Sequence, residues 1–390
     1  MEYWSKRMQR KLYKTSVFRG IANFEERANL RDGDTVNRPY RSDIVVHDYT
    51  KGTAITAQDI SATNEQLSID KIKAALIYID NVDKIQNKYS AVNEWSAEAA
   101  IRLSNIIDAD FFATAPSCDD SIDDGDIGGT AGNPVTVSAS NILNVFGKTN
   151  KKLDTANVPR EGRYFAISPQ MFDVLWQYIA GKESILGDKT GLNGNVGKWA
   201  GFDLFMTNNL TASAVWTPAD NPANTATIVI EGITFTFVST ISTVAGNILQ
   251  TSDTETTLEA LADLINAGGV TSDAGVSNVS LSTANQRKVQ QWVATVTATA
   301  ITVYVKGGSY VTVTTSEAAD VWSAETQHSM AGQKKTIDLV IQKEPGIEMG
   351  NTVSAGKIGI NVIPWTLYGV KMFVEGTLRN LDVQVDSSSY

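Results

Sequence analysis

The longest run with a single hydrophobic period lies between about Asp83 and Thr114, a stretch that contains no Gly and no Pro. Polar side chains such as Glu94 and Arg102 occupy one face of the corresponding helical projection. Apolar or small side chains recur on the other face with the i, i+3, i+4, i+7 spacing of an amphipathic helix, at Ile85, Tyr89, Val92, Ala99, Ala100, Leu103, Ile106, Ile107 and Phe111. A helix of roughly 30 residues is about 45 Å long. The pattern therefore predicts a long helix that supports a sheet.

The segment before this helix has the pattern of extended strands. Residues 35–40 and 44–47 predict strands that lead to a polar, turn-rich tip at 49–53, and residues 66–79 predict a long return strand. Apolar positions change parity between 69 and 72, which indicates a bulge or a strong twist. Two strands joined at a tip have little core of their own. We therefore expect this arm to be stabilised by another part of the assembly, often another subunit.

Residues 115–210 alternate between helix and strand signals. The acidic run 116–129 predicts a polar, flexible loop, and it lacks a calcium-loop pattern because Ile122 occupies a ligand position. A serine-capped helix is expected at 137–154 and a buried strand at 164–167. Ser168 and Pro169 are favoured at the N-cap and first turn, so they predict the start of a second helix. The glycine-rich loop 181–197 has no Walker lysine, and a short strand follows at 201–206.

From about residue 211 to 333 the composition shifts to Thr, Ser, Val and Ala. A turn at Glu231-Gly232-Ile233 predicts a hairpin, and 256–267 predicts a helix. Strand-like runs lie at 227–230, 234–238, 291–296, 301–305 and 310–313. The segment is typical of a small β-rich domain inserted into a parent fold. Strands predicted at 336–341, 359–363, 367–374 and 381–385 are expected to pack on the long helix.

Composition limits the partners and the compartment. A chain of 390 residues predicts two or three folding units. The net charge of −10 argues against a surface that binds nucleic acid throughout, although not against a protein that encloses it. The one cysteine, Cys118, excludes an intrachain disulfide and a cysteine-based zinc site. Residues 1–20 form a basic arm, and the lack of a signal-like or membrane-spanning segment predicts a soluble protein made in a cytoplasm.

Catalytic motifs are absent from the sequence: there is no nucleophile elbow, zinc-protease helix, phosphate loop or dinucleotide fingerprint. The two histidines are His47, in a predicted arm strand, and His328, at the polar end of the inserted segment. Neither lies near a nucleophile-like turn, so a Ser-His-Asp triad is not expected. We predict no catalytic residue, no cofactor, no metal site and no enzymatic activity.

The order of these parts, together with short local motifs, carries a resemblance to a known family. The motifs are Ile69-Asp70-Lys71 and Asp80-Asn81-Val82-Asp83, Ile107-Asp108-Ala109-Asp110, Val158-Pro159 with Gly162-Arg163-Tyr164, Gly201-Phe202-Asp203 with Thr207-Asn208-Asn209-Leu210, and Tyr368-Gly369-Val370-Lys371. Over about 20–210 and 335–385 the chain resembles the major capsid proteins of tailed bacteriophages, which have the Hong Kong 97-type coat fold. The segment 211–333 departs from that pattern, and its role stays open between reinforcing contacts and presenting an outer surface.

The resemblance implies an α+β fold and a division of labour along the chain. The implied parts are an N-terminal arm at 1–40, an E-loop at 41–82, the spine helix of the peripheral domain at 83–114, the axial domain with part of the peripheral domain at 115–210, the inserted β-rich domain at 211–333, and C-terminal strands that complete both domains at 334–390. Such a protein assembles with itself into hexamers and pentamers of an icosahedral head. The head encloses double-stranded DNA without sequence-specific binding.

Partners and location follow from the same resemblance. It implies a portal and a scaffolding protein, with a decoration protein as a further candidate, no membrane partner, and a virion assembled in the host cytoplasm. Trp4, Arg10, Tyr49 and Lys51 are the expected intersubunit contacts. Some relatives join an E-loop lysine to an asparagine, which for Lys51 would be Asn361 or Asn380. Two alternatives remain: an encapsulin-like nanocompartment shell, and a phage tail or adhesion protein whose β-domain binds a host surface.

Overall fold

A computed structural model describes residues 14–28, 33–41, 43–54, 56–59, 62–81, 91–181, 197–271, 276–308, 311–317, 319–351 and 358–386. Trp4, Arg10 and most of the basic arm lie outside these residues, as do the first residues of the predicted long helix and most of the loop at 181–197. Helices and strands are both abundant, so the chain is a mixed α+β protein, as the sequence predicts.

The helices of the described residues are α1 Ala91–Phe112, α2 Asp124–Ile127, α3 Ile142–Thr155, α4 Pro169–Ala180, α5 Thr254–Asn266, α6 Thr283–Val289 and α7 Val374–Arg379. Short 3-10 turns lie at Phe18–Gly20, Glu25–Ala28 and Ala115–Ser117. The strands are β1 Thr35–Arg41, β2 Ala62–Ser68, β3 Lys71–Ala74, β4 Ile77–Asp80, β5 Asp120–Ile122, β6 Arg163–Ile167, β7 Lys198–Trp199, β8 Phe202–Met206, β9 Thr211–Thr217, β10 Thr227–Ile230, β11 Ile233–Val238, β12 Asn247–Leu249, β13 Trp292–Thr297, β14 Ala300–Val305, β15 Val313–Thr315, β16 Val321–Trp322, β17 Thr326–Gln333, β18 Asp338–Asn351, β19 Gly359–Lys371 and β20 Asn380–Asp386.

The described chain divides into two compact units. Unit 1 comprises residues 19–104 and 334–378, and unit 2 comprises 14–18, 105–333 and 379–386. The boundary falls within continuous secondary structure at three points: in the 3-10 turn Phe18–Gly20, inside α1 and at the end of α7.

Unit 1 contains an antiparallel hairpin, β1 with β2, in which Thr35 faces Ser68 and Arg41 faces Ala62. A second sheet has the order β18-β19-β3, and β4 also pairs with β19. The predicted single return strand at 66–79 is therefore wrong: it is divided into β2, which pairs with β1, and β3 and β4, which both pair with β19. The parity change in the sequence marks this division, since Leu67 is buried beside Val340 and Phe373 whereas Ile72 is exposed.

The predicted strand at 44–47 is also wrong, because residues 43–54 form no strand. Its backbone is instead held by a side chain, with the Val45 N–H donating to Oε1 of Gln58 at 2.8 Å. At the other end of the chain, the strands predicted at 359–363 and 367–374 are one long strand, β19, which follows β18 through a register with two irregularities.

Helix α1 has the predicted amphipathic character, and its buried positions agree with the predicted ones in part. Most of its buried side chains recur at spacings of three and four residues, at Ser96, Ala99, Leu103, Ile107, Asp110 and Phe111. Ile106 and Ala100, which were expected on the buried face, are only half-buried. Two carboxylates, Asp108 and Asp110, are buried instead.

Unit 2 is organised around a sheet with the order β13-β14-β9-β17-β6-β8-β7, to which β20, β5 and β16 add. Strand β6 is buried along its whole length, and α3 and α4 contribute Phe146 and Met171 to the core around it. The predicted cap of α4 is confirmed, because Oγ of Ser168 accepts a hydrogen bond from the Met171 N–H at 3.2 Å.

A second core in unit 2 is formed by the sheet β12-β11-β10-β15, helix α5 and strands β9, β13 and β14 of the large sheet, and it contains Phe235, Phe237 and Trp216. The predicted hairpin of β10 and β11 is confirmed, with Glu231 and Gly232 at positive φ in its turn. The strands at both ends of the segment 211–333 belong to the larger sheet, however. Strand β9 pairs with β17, and β17 also pairs with β6 and β20.

Candidate assembly site

The loop at the end of the β1–β2 hairpin presents apolar side chains to solvent. Ile44, Val46 and Tyr49 are 76%, 91% and 66% exposed, and Lys51 is also exposed. The turn at its tip is closed by a hydrogen bond from the Thr53 N–H to the Thr50 carbonyl at 3.0 Å. Exposed large apolar side chains grouped in one loop are typical of a site that binds another protein. Tyr49 and Lys51 both lie in this exposed loop.

The base of this hairpin is fixed in unit 1 by one guanidinium. Arg38 of β1 donates from Nη1 to Asp338 Oδ2 and from Nη2 to Glu375 Oε2, each at 3.1 Å. Its Cζ lies 5.3 Å from the centre of the Phe373 ring. On the paired strand, Glu65 accepts a hydrogen bond from the Val374 N–H at 3.0 Å. Both strands of the hairpin are therefore fastened to the start of α7.

A buried carboxylate in unit 2 anchors the residues that follow the basic arm. Oδ1 of Asp108 accepts from the backbone N–H groups of Val17 and Phe18, at 3.0 and 2.8 Å. Its Oδ2 accepts from Thr207 Oγ1 at 3.3 Å and from Asn209 Nδ2 at 2.8 Å. Burial raises the pKa of Asp108, and these four donors partly oppose that shift.

Two lysines reinforce the same anchor. Nζ of Lys14 donates to the backbone carbonyls of Asn208, at 2.9 Å, and of Gly307. Nζ of Lys306 lies 2.8 Å from Oδ1 of Asp110, which is buried. The motifs around Asp108 and Thr207 are thus spatial neighbours. No local pattern in the sequence connects the two motifs, although two acidic residues on an apolar helical face were the available signal.

Replacing Asp108 with alanine is expected to lower the free energy of unfolding by about 3 kcal/mol, because buried donors would lose their acceptor. Asp108→Asn should also destabilise the protein, since its amide NH₂ would face donors. Urea denaturation measures both effects. Asp119→Ala is the matched control, because Asp119 is exposed and should change stability by less than about 0.5 kcal/mol. Equal stability of the Asp108 and Asp119 variants would contradict the anchoring role.

The motif around Arg163 stabilises the turn between α3 and β6. The guanidinium, with its side chain 2% exposed, donates to Asp154 Oδ1 at 2.7 Å and to the Val158 carbonyl at 2.6 Å. It also donates to Oδ1 of Asn150 at 2.9 Å. Gly162 at φ 73° allows the backbone to turn into the buried strand. A buried guanidinium with this many acceptors indicates a structural rather than a binding role.

The acidic run 116–129 contains β5 and α2 rather than forming one loop, which corrects the predicted loop. Asp123 and Asp126 form a reciprocal capping box at the start of α2. Lys152 of α3 lies 3.0 Å from Asp120 Oδ1 and 2.8 Å from Asp126 Oδ2. Helix caps and one lysine therefore satisfy these carboxylates. Within the described residues, no group of three His, Cys, Asp or Glu side chains could hold a metal ion.

No family model matches the sequence, and no curated protein matches it. Solved structures do match, over nearly the whole chain. A structure titled Mycobacterium phage Che8 has a TM-score of 0.57 and 15% identity, with 100% of this chain and 98% of that chain covered. The capsid structure of the cyanophage P-SCSP1u has a TM-score of 0.53 and 14% identity, with coverage of 98% and 91%. The mature capsid of bacteriophage PhiM1 has a TM-score of 0.50 and 10% identity, with 99% of this chain and 91% of that chain covered. The chain has the fold of phage capsid proteins.

One feature of this capsid fold contradicts the expectation for His328. Its Nε2 lies 2.8 Å from Ser213 Oγ and its Nδ1 lies 2.7 Å from Asp382 Oδ2. The three side chains thus form a hydrogen-bonded Ser-His-Asp series across β9, β17 and β20. It was not predicted because the three residues are far apart in sequence. All three are buried, so substrate cannot reach Ser213. These hydrogen bonds link three strands of the large sheet. His47, by contrast, is exposed in the hairpin loop.

The two asparagines considered as partners of Lys51 differ in accessibility. Asn380 is 1% exposed and its Oδ1 accepts a hydrogen bond from the Tyr164 hydroxyl at 3.0 Å. Asn361 is half-exposed on β19, opposite Tyr78 of β4. Only Asn361 of this pair can meet a second capsid-fold chain.

Among the described residues, no helix is both long enough and apolar enough to cross a membrane.

Proposed function

We propose that the chain is a major capsid protein, which assembles with copies of itself into the icosahedral head of a tailed phage around double-stranded DNA. The observation that carries the proposal is the capsid fold, matched across 98–100% of the chain by the first two structures. A fold alone does not determine function. The exposed apolar loop supports the same conclusion independently, because a chain that must bind its own copies needs such a surface.

In this proposal residues 41–82, which include the loop of the β1–β2 hairpin, are the E-loop, and residues 83–114, which include α1, are the spine of the peripheral domain. The loop binds the sheet of unit 1 in a neighbouring subunit. One face of that sheet carries Ile72, Tyr78 and Ile363, all exposed, and Trp365, which is half-exposed. Cross-strand register places Ile72 beside Leu367 and Tyr78 beside Asn361 on this face. One apolar surface lies on the exposed loop and the other on the sheet. In a ring of subunits, the loop of each subunit can contact the sheet of the next.

Charge is compatible with enclosing DNA. A chain with a net charge of −10 binds phosphates weakly over most of its surface, so packaged DNA can enter and leave. The basic arm, with Trp4 and Arg10, is the local exception and contacts a scaffolding protein, a neighbouring subunit or DNA. Portal and decoration proteins are further partners in this proposal. The shell is assembled in the host cytoplasm, and no catalytic role is assigned to any residue.

The remaining element assignments follow the same proposal. Residues 115–210 form most of the axial domain, and 334–390 complete the axial and peripheral domains. The segment 211–333 is an inserted domain whose core surrounds Phe235 and Phe237. Because β9 and β17 pair within the large sheet, the insertion is rooted in that sheet rather than joined by a flexible linker.

Electron microscopy of the purified, self-associated protein tests this function. We expect hollow polyhedral shells, and tubes or fibres would support the tail or adhesion alternative instead. Particles purified from the natural host distinguish the remaining alternative. Nuclease-protected double-stranded DNA inside them supports a phage head, whereas an enclosed protein cargo supports a nanocompartment. A protein that stays monomeric at all concentrations would contradict every shell hypothesis.

A crosslink between Lys51 and Asn361 of two subunits is a secondary proposal. The ε-amine would attack the amide carbon of the asparagine, an isopeptide bond would form, and ammonia would leave. A denaturing gel of mature particles would then show covalent multimers that disappear in Lys51→Ala and in Asn361→Ala. Particles that run only as monomers exclude the bond.

A further inference from the structure

The exposed loop of unit 1 contains a short segment whose backbone is bonded along one edge by a side chain. The amide of Gln58 donates from Nε2 to the Asp43 carbonyl and accepts at Oε1 from the Val45 N–H, both at 2.8 Å. A residue of a parallel strand bonds to its neighbour in the same way, through a carbonyl and the N–H two residues later. Gln58 therefore takes the place of a neighbouring strand.

The opposite edge of this segment, residues 43–46, is open, and we call the segment the loop strand. Backbone groups alternate between the two edges of a strand, so the N–H and C=O groups of Ile44 and Val46 point away from Gln58. Among the described residues these groups have no backbone partner. The side chains of Ile44, Val45 and Val46 are all exposed. The loop strand thus presents unpaired backbone and apolar side chains to solvent.

Strand β18 of unit 1 has an open edge of similar length. The Ala75 N–H donates to the Pro364 carbonyl at 2.9 Å, so this carbonyl of β19 points towards β3 and away from β18. Ile347 is opposite Pro364 in the antiparallel register, and opposite residues either exchange both backbone hydrogen bonds or neither. The N–H and C=O groups of Ile347, and of Met349 two residues later in the same unbroken register, therefore point to the outer edge.

This part of the edge is uncovered in the described chain. The start of β18 is covered, because the Leu339 N–H donates to the Asn23 carbonyl at 3.0 Å. Two register irregularities and Pro345 separate that start from Ile347 and Met349, whose outward groups have no backbone partner among the described residues. Their side chains are 40% and 59% exposed. Proteins commonly block such edges with charge, proline or a bulge, so an open apolar edge suits the addition of a strand.

We propose that the loop strand of one copy adds to the edge of β18 in a second copy. The outward groups of Ile44 and Val46 bond with those of Ile347 and Met349, and the apolar side chains of the two strands become cross-strand neighbours. A second copy is the partner because each edge supplies the unpaired backbone and the exposed apolar side chains that the other edge lacks. Gln58 is a positioning residue, since it holds the loop strand in its bound form and reduces the ordering cost of binding.

The inference rests on the proposed self-assembly and specifies how the loop binds. Tyr49 and Lys51, at the tip, stay available for the exposed face of the same sheet. Strand addition engages backbone N–H groups, whereas packing of side chains on a face does not. The two modes of binding therefore differ in the amide protection that they produce.

Hydrogen exchange on the full-length chain, before and after self-association, tests strand addition. The amides of Ile44, Val46, Ile347 and Met349 should exchange at least about tenfold more slowly in the assembled protein. The Val45 amide is already bonded within the chain and should change little. If shells form and the other amides stay unprotected, strand addition is wrong while the proposed function stands. A chain that does not self-associate contradicts the proposed function as well.

Ile347→Pro separates backbone pairing from side-chain contact. Proline is tolerated in an edge strand where the lost N–H faces outward, so the variant should melt like the natural protein. It should lose the protection of Ile44 and Val46, and its shell yield should fall at least about tenfold. Ile347→Ala keeps the N–H and is the matched control, so it should retain the alternating protection. Equal loss of protection in both variants would show that the side chain, not the backbone, makes the contact.

Gln58→Ala keeps the test decisive if the proline variant folds poorly, because Gln58 is exposed. It removes both hydrogen bonds to the loop strand, so the protection of Ile44 and Val46 in the assembled protein should fall several-fold. Gln66→Ala, an exposed glutamine of β2, is the matched control and should leave that protection unchanged. If the two glutamine variants behave alike, Gln58 does not position a strand and the proposal is overturned.

Discussion

Replacing Ile44, Val46 and Tyr49 with serine should leave the chain folded but unable to form shells. The three side chains are exposed and contribute nothing to the core of unit 1, so folding should be unaffected. Burying a large apolar side chain at an interface contributes about 1.5–3 kcal/mol, so the triple variant loses on the order of 5 kcal/mol per contact. Because every subunit repeats the contact, the loss is multiplied around each ring.

Shell yield by sedimentation, together with the thermal melting of the unassembled chain, measures this prediction. The matched control replaces three exposed valines of unit 2, Val244, Val276 and Val321, with serine. It removes three exposed apolar side chains from a surface outside the hairpin. Shells should form from the control and not from the loop variant, while both melt like the natural protein. Shells of normal yield from the loop variant would show that the hairpin loop is not an assembly contact.

Local periodicity predicts those elements whose environment is set by their own sequence. Ser168 and Pro169 begin α4, and Glu231 and Gly232 turn the β10–β11 hairpin, because caps and turns depend on a few adjacent residues. Leu103, Ile107 and Phe111 are buried as their spacing predicts. The same reasoning mistakes Ile44–Val46 for a strand. β-branched residues favour strands only where a partner strand exists, and the described part of unit 1 supplies none there.

Interactions between distant residues were not predictable in this way. Ser213, His328 and Asp382 come together only because β9, β17 and β20 are neighbours, and no local pattern gives strand order. Asp108 was visible as a polar residue on an apolar face, yet its partners at 17–18 and 207–209 depend on tertiary structure. The ends of the segment 211–333 were predicted from composition. They coincide with strands because β9 and β17 belong to the large sheet. Amino-acid composition reflects solvent exposure and secondary-structure propensity. Which strands continue a sheet is determined by hydrogen-bonded pairing between strands.

Replacing Leu103 with aspartate should prevent α1 from packing and leave little soluble protein. Leu103 is 4% exposed, so the variant loses about 2–4 kcal/mol of apolar burial and adds an unpaired buried charge. The sum on the order of 5 kcal/mol is comparable with the stability of a whole domain. Soluble yield at low temperature and urea denaturation of any recovered protein measure the effect.

Ile106→Asp is the informative comparison, because sequence periodicity predicts the same outcome for it and the structure does not. Ile106 is half-buried, so its charge can reach water and the cost should be about 1–2 kcal/mol. Arg102→Ala is the surface control: Arg102 is exposed and pairs with Glu98 one turn earlier, which contributes about 0.5 kcal/mol. The expected order of stability is Arg102→Ala, then Ile106→Asp, then Leu103→Asp. If the two aspartate variants were equally unstable, both positions would face the core, as the sequence period alone indicates, and the observed orientation of α1 would be wrong.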